Sequence, residues 1–310
     1  MDSAPALWRK LNPCTTLQLT LTFGKTVARS LADMTLRTAF RTSWLMLLAF
    51  GFPFCAHAGA PNVQQIVQRS VAANQADWQA APNYAFTEHD VETKRGGDEV
   101  IKTYQVIMVN GSPYNRLIAI DNKPLSPAQN EQEERKMRQE AIRRQHESPA
   151  QRSKRIAKYQ RERHQDHQMM NEMAAAFEYR LAGEATLDGF NVYILDATPK
   201  PGYTPHTRET KVLTGMRGRL WIDKASYQWV KVVAEVTKPV EFGMFIAKVS
   251  PGTRFELEQR PVDNGSVWLP VHFSMNVNAS VLGMFSENST DDETYSHYEP
   301  NRVVIASLLK

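Results

Sequence analysis

The chain has 310 residues, of which 42% are hydrophobic, 23% charged and 9% aromatic. This ordinary globular composition excludes a wholly disordered, collagen-like or coiled-coil chain. A single segment approaches the apolarity of a bilayer span and it is short for one, which excludes a multi-pass membrane protein.

That segment, Trp44 to Phe54, follows Arg37 and Arg41 and precedes Ala56-His57-Ala58. A basic stretch, a short apolar run and a small-x-small site form a secretory signal peptide, with cleavage expected after Ala58. Gly51 and Pro53 break the helix that a retained anchor would need. Cys55 follows Phe52-Pro53-Phe54, which is too bulky for a lipoprotein signal, and Met34 is a better placed start than Met1. The expectation is a leader over 1–58 and one exported domain over 59–310, periplasmic or secreted. Of the 37 basic and 33 acidic residues, six and two precede the cut, leaving 31 of each. The basic charge therefore belongs to the leader and gives no argument for a nucleic-acid partner. Both cysteines, Cys14 and Cys55, also precede the cut. The exported chain has no disulfide, thiolate metal site or cysteine nucleophile.

Residues 62–80 place Val63, Ile66, Val67, Val71 and Trp78 at helical spacing, and Pro82-Asn83 ends the helix. The period then becomes two. A strand opens at Tyr84 and Phe86, a second spans Val100 to Val109 and a third Tyr114 to Ile120, with turns at Gly96-Gly97 and Asn110-Gly111. Residues 126–176 are a charged insertion. Ser126-Pro127-Ala128-Gln129 and Ser148-Pro149-Ala150-Gln151 are two capping-box starts, which predicts helices over about 127–147 and 149–176. Glu131–Arg135, Glu134–Arg138 and Glu140–Arg144 are favourable i,i+4 pairs. The thin apolar stripe of Met137, Ala141 and Ile142, and a fuller one ending at Met173, Ala174 and Phe177, predict a solvated pair that docks chiefly through its C-terminal third.

Beyond Phe177 the pattern is almost entirely strand. Hairpin strands at 178–187 and 190–197 flank Asp188-Gly189, and a loop over 198–211 carries three prolines. Further strands follow at about 217–223, 227–237, 241–248, 253–261, 267–281 and 290–298. Val271, Phe273, Met275, Val277, Ala279 and Val281 share one face against His272, Ser274, Asn276, Asn278 and Ser280. Val230, Val232, Ala234 and Val236 oppose Lys231 and Glu235. One dry and one wet face with hairpin connections predict an antiparallel sheet, and about ten such strands curl. The predicted class is mainly β (α+β), a large antiparallel sheet curved into an open half-barrel with an N-terminal helix and a long charged helical insertion.

Gly218-Arg219-Leu220-Trp221-Ile222-Asp223-Lys224, then Trp229-Val230-Lys231 and Val267-Trp268-Leu269-Pro270, resemble a pattern of bacterial secreted proteins of the lipoprotein-sorting type. Asn110 to Leu117 and Asn122-Lys123-Pro124-Leu125 resemble a secreted branch of that LolA/LolB-like and RseB-like superfamily. The resemblance covers roughly 80–300. It implies an open half-barrel that holds helices in its concave side, in a family whose best-known members carry acyl chains. No family binding residue maps onto a matching motif, and the insertion at 126–176 departs from the compact carriers.

The densest candidate ligand cluster is His164, Asp166, His167, Met169 and Met170. Two histidines at i,i+3 can share a metal and thioethers favour Cu(I); the plainer reading is a polar helix turn beside a Met-rich docking stripe. Eleven basic residues over 135–163, including Arg143, Arg144, Arg155 and Arg163, are candidates for an anionic headgroup or an envelope protein partner, against a plain solvated face. Phe242 to Ile246 and Val281 to Phe285 set Gly beside Met and Phe, as a groove lip or as core. No G-x-S-x-G, H-E-x-x-H, P-loop or G-x-G-x-x-G occurs. The reading is a non-enzymatic binding protein without cofactor, for an acyl chain, lipid or lipidated protein. Its expected groove lining is Trp221, Trp229, Val230, Phe242, Phe245, Phe273 and Met275. The alternative is an envelope interaction or sensor module that docks a partner through the charged insertion.

Overall fold

The computed structural model describes residues 62–93, 97–242, 247–281 and 285–302, without the side chains of 165–171, 247, 263, 281 and 285–287. The expected leader lies outside the described residues.

Helix α1 (Val63–Ala80) starts where the Asn62 side chain accepts hydrogen bonds from the Gln64 and Gln65 amides. Strands β1 (Tyr84–Thr93), β2 (Glu99–Val109), β3 (Ser112–Ile120) and β4 (Lys123–Pro124) form a meander, followed by α2 (Pro127–Gln145) and α3 (Pro149–Ala176). The remaining strands are β5 (Phe177–Leu187), β6 (Phe190–Pro199), β7 (Met216–Asp223), β8 (Trp229–Val236), β9 (Val240–Phe242), β10 (Ala247–Val249), β11 (Arg254–Val262), β12 (Val267–Val281) and β13 (Phe285–Pro300). A 3-10 turn over Glu209–Gly215 begins at the end of the segment expected to be loop over 198–211 and runs on to β7.

These strands form one antiparallel sheet in the order β4-β3-β2-β1-β13-β12-β11-β8-β7-β6-β5, with β9 and β10 attached beside β12. The end strands β4 and β5 do not pair with each other, so the curved sheet stays open. The last strand, β13, pairs with the first, β1, which ties the two ends of the chain together at the sheet centre. Both capping boxes form: Ser126 with Gln129 and Ser148 with Gln151 exchange side-chain and backbone bonds. The hairpin turns at Asn110-Gly111 and Asp188-Gly189 place both residues at positive φ, as two-residue hairpins require. Gly111 serves packing as well, because a β-carbon there would lie 3.3 Å from Ile156 Cδ1 of α3.

One face of the sheet, called inner below, carries the main core. Ile66 of α1 and Ala176 at the end of α3 are buried there with Phe86, Leu195, Leu220, Val232, Leu257 and Phe273. Trp221 and Val230, expected on that face, pack instead on the opposite side with Val192 and Trp268. Trp221 lies there by plain alternation with Leu220 and Ile222 of the inner core, and Val230 because of a β-bulge. Trp221 pairs with Lys231 but Ile222 pairs with Trp229, so Val230 is an extra residue that breaks the strict alternation. Its freed carbonyl accepts a hydrogen bond of 3.1 Å from Arg260. A second bulge leaves Val271 unpaired between Glu258–His272 and Gln259–Pro270.

The charged insertion docks along more of its length than its apolar stripe predicts. Met137 and Ala141 of α2 pack on Ala85, Ile107 and Val109, whose strand neighbours Phe86 and Val106 face the inner core. Helix α2 therefore covers the outer face of β1 and β2. Arg144, only 6% exposed, donates to the carbonyls of Val109, Ser112 and Pro113 and to the Ser112 hydroxyl. Arg155 of α3 reaches the same turn through the Ser112 hydroxyl and the Asn110 carbonyl. Polar anchors rather than an apolar stripe hold this end.

Candidate ligand-binding face

Cross-strand register makes the inner face legible row by row, because Cα partners across an antiparallel sheet project to the same side. One row runs Lys102, Asp90, Glu293, Phe273, Leu257, Val232, Leu220, Leu195 and Leu181 from β2 to β5. Its neighbour runs Val100, Glu92, Asp291, Met275, Phe255, Ala234, Gly218, Ala197 and Tyr179. Both rows change character at the same place. They are ionisable on β1 and β13 and apolar from β12 to β5.

The second row has a low stretch, a covered trough. Ala234, Gly218 and Ala197 are small, Ala197 and Ala234 buried at 3% and 7% exposure and Gly218 half-buried, with the half-buried Phe255 and Met275 at one end and Tyr179 at the other. A β-carbon at Gly218 would meet neighbours only at 3.4 Å and beyond. None of Ala197, Gly218 or Ala234 stands out in the sequence, since small residues on a strand carry no periodic signal of their own. Only the register aligns them.

The ionisable end is a ladder of carboxylates. Glu88 lies across from Tyr295, Asp90 from Glu293 and Glu92 from Asp291. Burial deepens along it: Glu92 and Asp291 are half-buried, Asp90 is 8% exposed and Glu88 is 1% exposed. Glu293 accepts a short hydrogen bond from the Tyr295 hydroxyl. Among the described residues neither Glu88 oxygen has a hydrogen-bond partner. Burial, then repulsion from Glu293 and Asp90, pushes the Glu88 carboxyl well above the usual range. Burial likewise pushes Asp90 and Asp291 up to about 6, and in both cases Glu92 adds to the shift.

Helix α1 covers part of this face with an unusual surface. Its buried positions are Ile66, Ser70, Asn74 and Asp77, so three of four are polar. Asp77 accepts from the Trp268 amide at 3.0 Å, and burial pushes its carboxyl up to about 7. Among the described residues the Ser70 hydroxyl, the Asn74 carbonyl and the second Asp77 oxygen have no partner, nor do Gln228 Oε1 just before β8 and Gln259 Oε1 on β11. Each such orphan costs on the order of 1–3 kcal/mol.

Of the expected groove residues, Trp229, Phe242, Phe273 and Met275 come together in the main inner core, the first three at 6%, 4% and 5% exposure. Trp229, Phe242 and Phe273 are buried core, and Met275 is half-buried against it. Phe245 lies outside the described residues, and Trp221 and Val230 sit on the outer face as given above. His164 is exposed on α3, while the side chains of Asp166, His167, Met169 and Met170 are outside the described set. A different donor group gathers on the outer face: Glu256, Glu258 and His272 bring one ligand atom each within 4.8 Å of the others. The Lys231 ammonium already bridges both glutamates there, which makes it a surface ion-pair network. Much of the basic run on the insertion is neutralised as well. Arg143 pairs with Glu140 and Glu147, Arg135 with Glu131, and Arg155 with Glu147. Arg163 is buried, stacked 4.1 Å over the Trp78 ring with a hydrogen bond to the Trp78 carbonyl. No described helix is long and apolar enough to cross a membrane.

This fold defines a class: a single open, curved antiparallel sheet with helices against its inner face. No protein-family model matches the chain, and no curated protein matches it at a significant level. Among solved structures it is similar to a DUF1329 family protein from Desulfovibrio piger, at 15% identity over 77% of this chain and 92% of that one, with a TM-score of 0.32. It is also similar to an outer membrane lipoprotein-sorting protein domain from Vibrio parahaemolyticus, at 10% identity over 80% and 98%, TM-score 0.32. A LolA superfamily protein from Nitrosomonas europaea matches at 12% identity over 77% and 94%, TM-score 0.31.

Proposed function

We propose that this chain is an exported, non-enzymatic binding protein that lays an acyl or alkyl chain along the inner-face trough of Ala197, Gly218 and Ala234. The observation that carries the reading is that covered trough: small residues aligned across three adjacent strands, Ala197 and Ala234 buried, with Phe255 and Met275 at one end and Tyr179 at the other. The leader pattern over 1–58 supports an envelope or secreted location. The polar seat of α1 supports a helix that moves aside, because its orphaned groups regain water when it lifts. Each methylene buried contributes about 0.8 kcal/mol, so one long chain supplies useful affinity without any catalytic group.

The charged insertion is a poor free-standing docking arm, because Arg144 and Arg155 are committed to the β2–β3 turn and Ala176 to the core. Native mass spectrometry after mild extraction, with uptake of a fluorescent fatty acid, tests the proposal. Retained lipid or probe uptake is expected, with uptake falling at least tenfold in Gly218→Leu, whose side chain fills the trough. A folded protein that neither retains lipid nor takes up the probe overturns it.

A further inference from the structure

The outward side of α3 carries positive charge that the described residues do not match. We propose that this face rests on an anionic lipid leaflet, held by Lys154, Lys158 and Arg161. The assignment does not depend on the trough, and draws on the exported location proposed above only for meeting such a leaflet.

Three observations support it. The first is helix geometry. Tyr159 and Arg163 are the buried positions of this part of α3, Arg155 is hydrogen-bonded to the β2–β3 turn and Ile156 lies against Gly111 of that turn. At about 3.6 residues per turn, Lys154, Lys158 and Arg161 fall together on the opposite side, in a stripe about 10 Å long. All three are exposed, Lys158 with 71% of its side chain. The second is the pattern of neutralisation. On α2 the exposed bases have acids beside them: Arg135 pairs with Glu131, Lys136 with Glu133, Arg138 with Glu134 and Arg143 with Glu140. On α3 the side chains of Arg152, Lys154 and Arg161 make no ion pair or hydrogen bond with a described residue, and Lys158 reaches Glu162 only at 3.8 Å. Glu147, the acid at the elbow between the helices, is already shared by Arg143 and Arg155. The third is the setting of the stripe. Beside it a shallow open cleft is lined by Glu147, Pro149, Arg152, Ser153, Ile156 and Ala157, which sets a further cation next to apolar atoms. The stripe itself offers no large apolar anchor of the kind on which protein–protein interfaces centre, and such interfaces are depleted in Lys. Long basic side chains suit diffuse attraction to a plane of lipid phosphates instead. Arg144 and Arg155 clamp the insertion to the β2–β3 turn, so the stripe is held in a fixed orientation.

The test is cosedimentation of the full exported chain with two kinds of vesicle, phosphatidylcholine alone and phosphatidylcholine with about a third phosphatidylglycerol. Binding is expected to the anionic vesicles only, and should disappear at high salt. Each cation at such a surface strengthens binding about fivefold, so Lys154→Gln/Lys158→Gln/Arg161→Gln should weaken it about a hundredfold. The control Arg135→Gln/Lys136→Gln/Arg138→Gln removes the same charge from α2 and should weaken it by less than about threefold. Equal losses in the two variants overturn the assignment, since the vesicles are then reading net charge. Equal binding to both vesicles overturns it too, and so does a folded chain that binds neither, which leaves the stripe to an acidic protein or to solvent. Fatty-acid uptake, which reports the trough, should be unchanged in the α3 variant, so failure of the stripe and failure of the trough are told apart.

Discussion

Helices α1 and α2 both lie on the sheet with few apolar residues, yet their polar contacts are opposite in kind. On α2, Arg144 is buried with each donor directed at a carbonyl, hydroxyl or carboxylate, and Glu140 closes the network by accepting from Arg144 and Arg143. On α1, the buried Ser70, Asn74 and Asp77 each leave an oxygen unpartnered. A saturated network fixes a helix in one position, because any displacement exposes several broken bonds at once. An unsaturated one makes displacement inexpensive, because water satisfies what the protein does not. The outer-face helix is thus fixed to the scaffold by a saturated network, whereas the inner-face helix is seated with several polar groups unmatched.

The largest effect that sharpens this contrast is expected at Arg144. Arg144→Ala strands the carbonyls of Val109, Ser112 and Pro113 in a buried turn, and should destabilise the chain by about 3–5 kcal/mol. Thermal unfolding measures it; a loss below about 1 kcal/mol would show that α2 is not anchored there.

A smaller effect is expected from pH. The folded-state carboxyls of Asp77, Asp90 and Asp291 are raised to about 7, 6 and 6, and Glu88 is raised further. The folded chain therefore holds these protons more tightly than the unfolded one. Their contribution is full below about pH 4 and is lost as pH rises through 6 to 7. The outer network has the opposite sign. Hydrogen bonds from Arg143 and then Arg144 hold Glu140 down at about 2, so its stabilisation is present above about pH 4 and lost as pH falls toward 2. The melting temperature should rise between pH 8 and about pH 5 and fall below pH 4. The rise should shrink in Asp90→Asn/Asp291→Asn, measured by scanning calorimetry; a flat profile from 8 to 5 would mean the inner-face acids are not buried as a group.

The smallest effect is expected on α1 itself. Ser70→Ala removes an orphaned hydroxyl and should leave stability unchanged or raise it by up to about 1 kcal/mol. In the unmodified protein, hydrogen exchange of α1 amides should be faster than that of α2 amides around Arg144. Equal protection of the two helices would break the comparison outright.

Much of this architecture is local and therefore readable from residue order. The two Ser-Pro-Ala-Gln starts, the Asn-Gly and Asp-Gly turns and the period-two runs state where helices, hairpins and strands begin, because caps and tight turns depend on a few adjacent groups. The alternation of β12 from Phe273 to Ala279 was equally plain. Val230 was misplaced because a bulge is one extra residue in a strand, visible only against its partner. Arg144 looked like one more solvated base, and nothing beside it in the chain announces three carbonyls brought from 31 to 35 residues away.

What residue order determined by itself is the set of elements and the existence of a dry sheet face, since each follows from composition and spacing within a dozen residues. Tertiary pairing alone decided which side chains share a row. Glu88, Asp90 and Glu92 lie in the first strand and Asp291 and Glu293 in the last, some two hundred residues apart. The closure of β1 against β13 turns two scattered acidic stretches into one ladder, and sets it against a hydrocarbon wall drawn from six other strands.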